Sequence, residues 1–123
     1  MTGDTIMALS MGLLCDNSQG SSETRGFALQ QLNILLAETF AANESLRQSA
    51  GREPLGMIPT LRKIEDEVPY EDGLCRAVLP YGLAAKLVLD DGDMGKMTYF
   101  QSQYVNALND ITRALPADVI DLY

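Results

Sequence analysis

The stretch Val78–Asp93, "VLPYGLAAKLVLDDGD", decides how the rest of the chain is read. Together with the residues just before it, it repeats apolar positions at Leu74, Val78, Tyr81, Ala85 and Val88, with Leu83 and Leu87 on a neighbouring face. A helix apolar over so much of its circumference is buried on more than one side. Yet Pro80 and Gly82 sit in its middle. Pro80 lacks the N–H that would reach the Arg76 carbonyl and its ring presses on that oxygen, so the helix is expected to bend or open there, at about 3 kcal/mol unless packing compensates. Gly82 has no side chain, so another helix, from this chain or from a neighbouring subunit, can come close. Pro80, Tyr81 and Gly82 therefore form a candidate kink or subunit contact.

Working outward, the spacing predicts that this helix starts at Pro69, with Glu71 and Asp72 at the positive end of its dipole. After it, Gly92 supplies a left-handed turn and Asp93 caps a following helix over about Met94–Leu115. That helix repeats Met97, Phe100, Tyr104, Leu108, Ile111 and Leu115, against a polar face of Gln101, Gln103, Asn106, Asp110 and Arg113. At about 1.5 Å per residue it is a rod of roughly 30 Å. Upstream, Glu23–Asn43 carries Ala28, Leu32, Leu35, Leu36, Thr39 and Phe40 on one broad stripe, with Ser21 or Ser22 as its cap. A short first helix, Thr5–Leu14, repeats Ile6, Leu9 and Leu13 behind Asp4 as cap.

Residues 45–69 cannot continue a helix, because Gly51, Pro54, Gly56, Pro59 and Pro69 interrupt them. They read as a long ordered loop in which "LGMI" and "TLRKI" could run extended. The expectation is one all-α domain spanning 1–123: four helices, with this irregular loop between the second and third. Residues 116–123 follow as a tail in which Val119, Ile120, Leu122 and Tyr123 place large apolar groups at a chain end, either folded back or docked on a partner.

Composition removes several classes of chemistry. The chain has 123 residues, 46% of them hydrophobic, which suits a single modest core. It has no histidine, so Cys/His zinc sites, Ser/His/Asp triads and Cys/His nucleophiles are excluded. Cys15 and Cys75 read as small apolar residues on helix faces in a reducing compartment, and Met94 and Met97 as core filler. No apolar run is long enough to cross a bilayer, and the first residues lack a secretory pattern, so a soluble protein made inside a cell is expected. A net charge of −8 disfavours tight nucleic-acid binding through a basic patch.

Two acidic groups are candidate sites. "DDGDMGK", with Asp90, Asp91 and Asp93, fails as a calcium loop because the position twelve from Asp90 is Gln101 and not glutamate, and it lacks the spacing of a phosphate loop. Glu65, Asp66 and Glu67 are ordinary for a solvated surface. Neither group predicts an enzyme, a metal or a cofactor.

Two longer stretches carry a resemblance. "FALQQLNILLAETFAANESL" (27–46) resembles an "alxxLNxLLaE" helix, and "LCRAVLPYGLAAKLVLDDGDMGKMTYFQSQY" (74–104) resembles an "avLpyGLAaxLxxdDxdxxxxxyFxxxY" segment. Both belong to the head-to-tail connector (adaptor, or neck) proteins of tailed bacteriophages. With the first helix they cover more than half the chain in the family's order. The resemblance implies a helical structural subunit of the virion, made in the host cytoplasm and assembling as a ring, commonly twelvefold, beneath the capsid portal. Such a ring extends the DNA channel, helps retain packaged DNA, and presents a surface to the tail or stopper protein, with the C-terminal segment reaching toward the portal. On that reading Glu65, Asp66, Glu67, Asp90, Asp91 and Asp93 are candidates to line the channel, where negative charge lets DNA pass without sticking. The contrasting expectation is a small helical regulatory or adaptor domain that binds a host protein through the third helix and the tail.

Overall fold

A computed structural model describes residues 1–15, 22–89 and 91–113, and their regular structure is all α-helix. Six segments follow in order: α1 (Gly3–Leu13), α2 (Ser22–Glu38), α3 (Phe40–Ser49), α4 (Asp72–Ala77), α5 (Leu79–Leu89) and α6 (Met94–Arg113). Among the described residues, extended pairing is limited to an isolated antiparallel bridge between Thr2 and Glu67. "LGMI" and "TLRKI" form no strands. Among the described residues no helix is long and apolar enough to cross a membrane.

α5 is the hub, and α6, α1, α2 and α4 all pack against it. It buries Leu79, Pro80, Gly82, Leu83, Ala84, Ala85, Leu87 and Val88, the all-round burial its composition demands. The break foreseen beside Pro80 lies two residues earlier, at Val78 (φ −112°, ψ −54°). Because α5 begins at Leu79, Pro80 falls in its first turn, where a missing N–H leaves no bond unmade. Val78 still donates to the Leu74 carbonyl at 3.1 Å, and Gly82 donates to Val78 at 3.3 Å, so the backbone turns with little loss of bonding. Gly82 is where both neighbours arrive. A Cβ there would lie 2.7 Å from Leu35 Cδ2 and 2.9 Å from two ring carbons of Tyr104, so α2 and α6 of the same chain fill that space.

Other boundaries depart from the sequence reading. The helix expected from Pro69 begins only at Asp72, after Glu71 in extended backbone (φ −60°, ψ 141°). Tertiary bonds hold the lead-in straight: the Tyr70 hydroxyl donates to the Leu36 carbonyl, and the Glu71 N–H donates to Asn43 Oδ1 at 2.8 Å. The second helix is divided at Thr39 (φ −103°, ψ 7°) and then runs on to Ser49. Thr39 Oγ1 donates back to the Leu35 carbonyl at 2.8 Å, a bond that loosens a helix turn. The backbone ladder nonetheless continues through Thr39, which donates to Leu35 and accepts from Asn43, each at 3.0 Å.

α1 starts earlier than expected, because Thr2 and not Asp4 caps it, accepting from the Thr5 N–H at 3.1 Å. Its buried face is Ile6, Met7, Ser10 and Met11, and Leu9 is turned outward. Two assignments to the interior are also corrected. Cys15 is exposed just beyond α1 in a left-handed conformation (φ 58°), and Met94 is 56% exposed at the start of α6. Cys75 is fully buried, which pushes its thiol pKa up to about 11. Asp93 does cap α6, accepting from the Lys96 N–H at 3.0 Å, and Gly92 takes the left-handed turn before it (φ 74°).

Candidate functional site: a braced loop tip and a cleft

The segment between α3 and α4 carries Gly51, Pro54, Gly56 and Pro59, so it has few backbone bonds of its own and depends on side chains from the helices. Those side chains come from α2 and α3. Glu44 accepts from the Leu55 and Gly56 N–H groups at 2.9 and 3.0 Å. Arg47 donates to the Glu53 carbonyl at 2.6 Å. Arg47 and Arg52 both meet the Glu71 carboxylate, Arg47 at 3.5 Å. At the far end Asn33 makes a two-point clamp on Leu61, donating to its carbonyl at 3.1 Å and accepting from its N–H at 2.8 Å.

Between these anchors stand Met57 and Ile58, 79% and 49% exposed. Two large apolar side chains in water on a backbone fixed from both sides form a presented tip. Gly56 takes φ +80° just before it, a conformation that suits glycine. In sequence, 52–63 has Arg52, Arg62 and Lys63 against Glu53, the reverse of the overall balance, while Glu44 brings its carboxylate to the Leu55 and Gly56 N–H groups.

Glu44→Ala is expected to release the tip without unfolding the helices. Charge-assisted bonds of this kind contribute about 1.5–3 kcal/mol each. Amide exchange at Leu55 and Gly56 should therefore accelerate at least roughly tenfold, while amides in α5 keep their protection. Uniform acceleration in α5 would show that the loop is part of the global unfolding unit.

A second feature lies where the end of α1, the start of α2 and the end of α5 meet. Met11, Leu14, Glu23, Thr24, Phe27, Leu87 and Asp91 surround a cleft of about 340 Å³. Its lining mixes the apolar side chains of Met11, Leu14, Phe27 and Leu87 with two exposed carboxylates, Glu23 and Asp91. Phe27 also borders a neighbouring hollow of similar size with Gln31, Lys86 and Leu89.

The residues singled out in sequence fall in different places. Pro80 and Gly82 are buried in the chain's own core and Tyr81 is half-buried, its ring 6.5 Å from that of Phe100. The acids are not gathered into one site. Glu65 pairs with Arg25 at 3.0 Å, and Glu67 with the Met1 amino group at 2.7 Å. Asp66 accepts from the Arg62 and Lys63 N–H groups at 2.9 and 3.1 Å, and these bonds hold its carboxyl below the usual aspartate range. Asp93 caps α6, and Asp91 is exposed and lines the cleft. Asp90 and the tail residues Val119, Ile120, Leu122 and Tyr123 lie outside the described residues. No three Cys, Asp or Glu side chains converge in a metal-binding arrangement among the described residues.

Sequence reading missed Asn33, Glu44, Arg47 and Asn43. Asn43 is fully buried, and its Nδ2 has no partner while its Oδ1 holds Glu71. The available signal was polar residues on an otherwise strong helix beside a loop unable to bond itself.

No family model, curated protein or solved structure matches the chain.

Proposed function

We propose that the chain is a structural subunit of a head-to-tail connector ring, seated beneath the portal of a tailed bacteriophage and offering its other face to the tail or stopper protein. The observation that carries this reading is the coexistence of a closed core with large apolar side chains left in water. Ile6, Leu32, Leu35, Leu36, Leu74, Leu79 and Leu83 are fully buried, yet Ile34, Met57, Ile58, Leu89, Met94 and Tyr99 each stand 47–79% exposed. A single exposed leucine is ordinary, whereas exposed groups on a preformed tip and at both ends of the α5–α6 turn fit a surface completed by other chains.

The resemblance supports the same reading through the subunit's construction. In "LNILLAE" the two strongly polar positions are Asn33, which clamps Leu61, and Glu38, which accepts from the Tyr104 hydroxyl at 2.9 Å and pairs with Lys86 at 3.3 Å. Leu35 from that stretch and Tyr104 from the second close on Gly82. The two resembling stretches are thus two halves of one packing unit. In this role the protein contributes contacts and no catalysis, and the net charge of −8 keeps DNA from adhering as it passes.

The test is to mix the purified chain with a portal ring from a tailed phage and follow mass by light scattering and shape by electron microscopy. The expected result is a coaxial ring of added density with a fixed number of copies per portal. A chain that stays monomeric and ignores the portal would remove the reading.

A further inference from the structure

We propose that the Met57–Ile58 tip of one copy seats in the Met11–Leu14–Phe27–Leu87 cleft of a second copy, a head-to-tail contact between identical chains. This deepens the connector reading, and it rests on that reading only for the closure of the contact into a ring. The occupant is a second copy for three reasons. The first is charge. Glu23 and Asp91 are among the residues lining the cleft, and the segment that carries the tip ends in the exposed Arg62 and Lys63, in a chain that is strongly acidic overall. Opposite potentials steer encounter and fix register, while two acidic surfaces would repel.

The second is placement. The tip is anchored by Glu44 on α3, and Phe27 of the cleft lies about 25 Å of helical path away. Even the nearer anchor, Asn33, lies on another flank of α2, since six residues along a helix come round about 120° from Phe27. A copy therefore presents its tip away from its own cleft.

The third is preparation. Tip and cleft are both formed before any partner arrives: the tip is held by Glu44, Arg47 and Asn33, and the cleft is walled by three helices. Binding then has little ordering to overcome. Because each copy has one tip and one cleft on different faces, the contact is heterologous. It propagates, closing into a ring if the rotation per copy allows and otherwise forming a filament.

Cys15 makes the contact testable, because it is exposed and directly follows Leu14 of the cleft, whereas Cys75 is buried. Met57→Cys should place a new thiol at the neighbour's Cys15. Mild oxidation of the concentrated variant is expected to give a ladder of dimer, trimer and higher species on a non-reducing gel, with the link mapping between positions 57 and 15. The ladder should be absent from the unaltered chain and from Met57→Cys combined with Cys15→Ser. Independently, Arg62→Glu with Lys63→Glu should weaken self-association at least tenfold by sedimentation, as should Glu23→Lys with Asp91→Lys. Mixing the two charge-reversed chains should restore association beyond the dimer, with the two chains alternating, because each one's tip then complements the other's cleft. A product that stops at dimer in the Met57→Cys chain, a link mapping elsewhere, or charge reversals that leave sedimentation unchanged would each overturn the proposal. A ladder from a chain that ignores the portal keeps the contact and discards the connector reading. A ring on the portal whose links map elsewhere does the reverse.

Discussion

Gly82→Val should unfold the protein more readily than any other single change on α5. A Cβ at this position already falls 2.7 Å from Leu35 Cδ2 and 2.9 Å from the Tyr104 ring. Neither neighbour has room to withdraw: Leu35 is fully buried, and Tyr104 is tied by its hydroxyl to Glu38. Alanine would gain about 1 kcal/mol of helix propensity over glycine, set against an overpacking cost of about 1–3 kcal/mol. Its net effect is therefore modest. Valine adds two methyl groups to the same contact and should cost more than about 3 kcal/mol, a large share of a domain stability of about 5–15 kcal/mol. A thermal scan should show the midpoint falling by roughly 10 °C or more. Leu35→Ala is destabilising alone but should return part of the loss when combined with Gly82→Val, because the two side chains compete for one space. Strict additivity of the two changes would show that the approach at Gly82 is not the cause.

The second large effect is alkaline unfolding. Tyr104 and Tyr70 are 5% and 6% exposed, and burial raises both phenol pKa values well above the ordinary value near 10. The nearby Glu38 adds to the rise at Tyr104, and Glu44 at Tyr70. Burial likewise raises the Cys75 thiol from 9.0 to about 11. In each case the folded state keeps its proton at a pH where the unfolded state has released it. The unfolded chain then binds fewer protons, so stability falls as pH rises. These contributions are intact below about pH 8.5 and are lost first through Cys75, then through the tyrosines above about pH 10. Circular dichroism should show cooperative loss of helix above about pH 10, accompanied by tyrosinate absorbance. Tyr104→Phe should move that transition to higher pH, even if it lowers stability at neutral pH by removing the bond to Glu38. Phenols that titrate near 10 with the helices intact would contradict the burial of both rings.

Much of the architecture could be read from the chain because its helices are strongly patterned. The all-round apolar character of 79–89 made α5 a buried helix, and Gly92 with Asp93 set the turn into α6. The places that resisted reading are those where a tertiary bond outweighed a local preference. Pro69 looks like a helix start, but Tyr70 and Glu71 are held extended by Leu36 and Asn43, far away in sequence. Ile6, Leu9 and Leu13 marked the stripe on α1, whereas the buried face keeps Ile6 and turns to Met7, Ser10 and Met11 with Leu9 outward, a rotation set by packing against α5. The candidate surfaces were less legible still. Met57 and Ile58 sit in "PLGMIP", whose composition marks a loop without indicating that Glu44 and Arg47 would hold it in place. The cleft brings together α1, α2 and α5, which no local pattern can announce.

The central position of α5 also bears on how the chain acquires its shape. α5 and α6 are joined by a short turn and can pair as soon as both exist, as contacts near in sequence form fastest. α1 and α2 have only weak packing against each other and find their main partner in α5, which begins at Leu79, 41 residues after the end of α2 at Glu38 and 66 after the end of α1 at Leu13. During synthesis at about 5–20 residues per second, their greasy faces wait several seconds for the piece that shelters them. A newly made chain therefore passes through an interval in which the apolar faces of α1 and α2 are open to chaperones, or to sister chains on the same message.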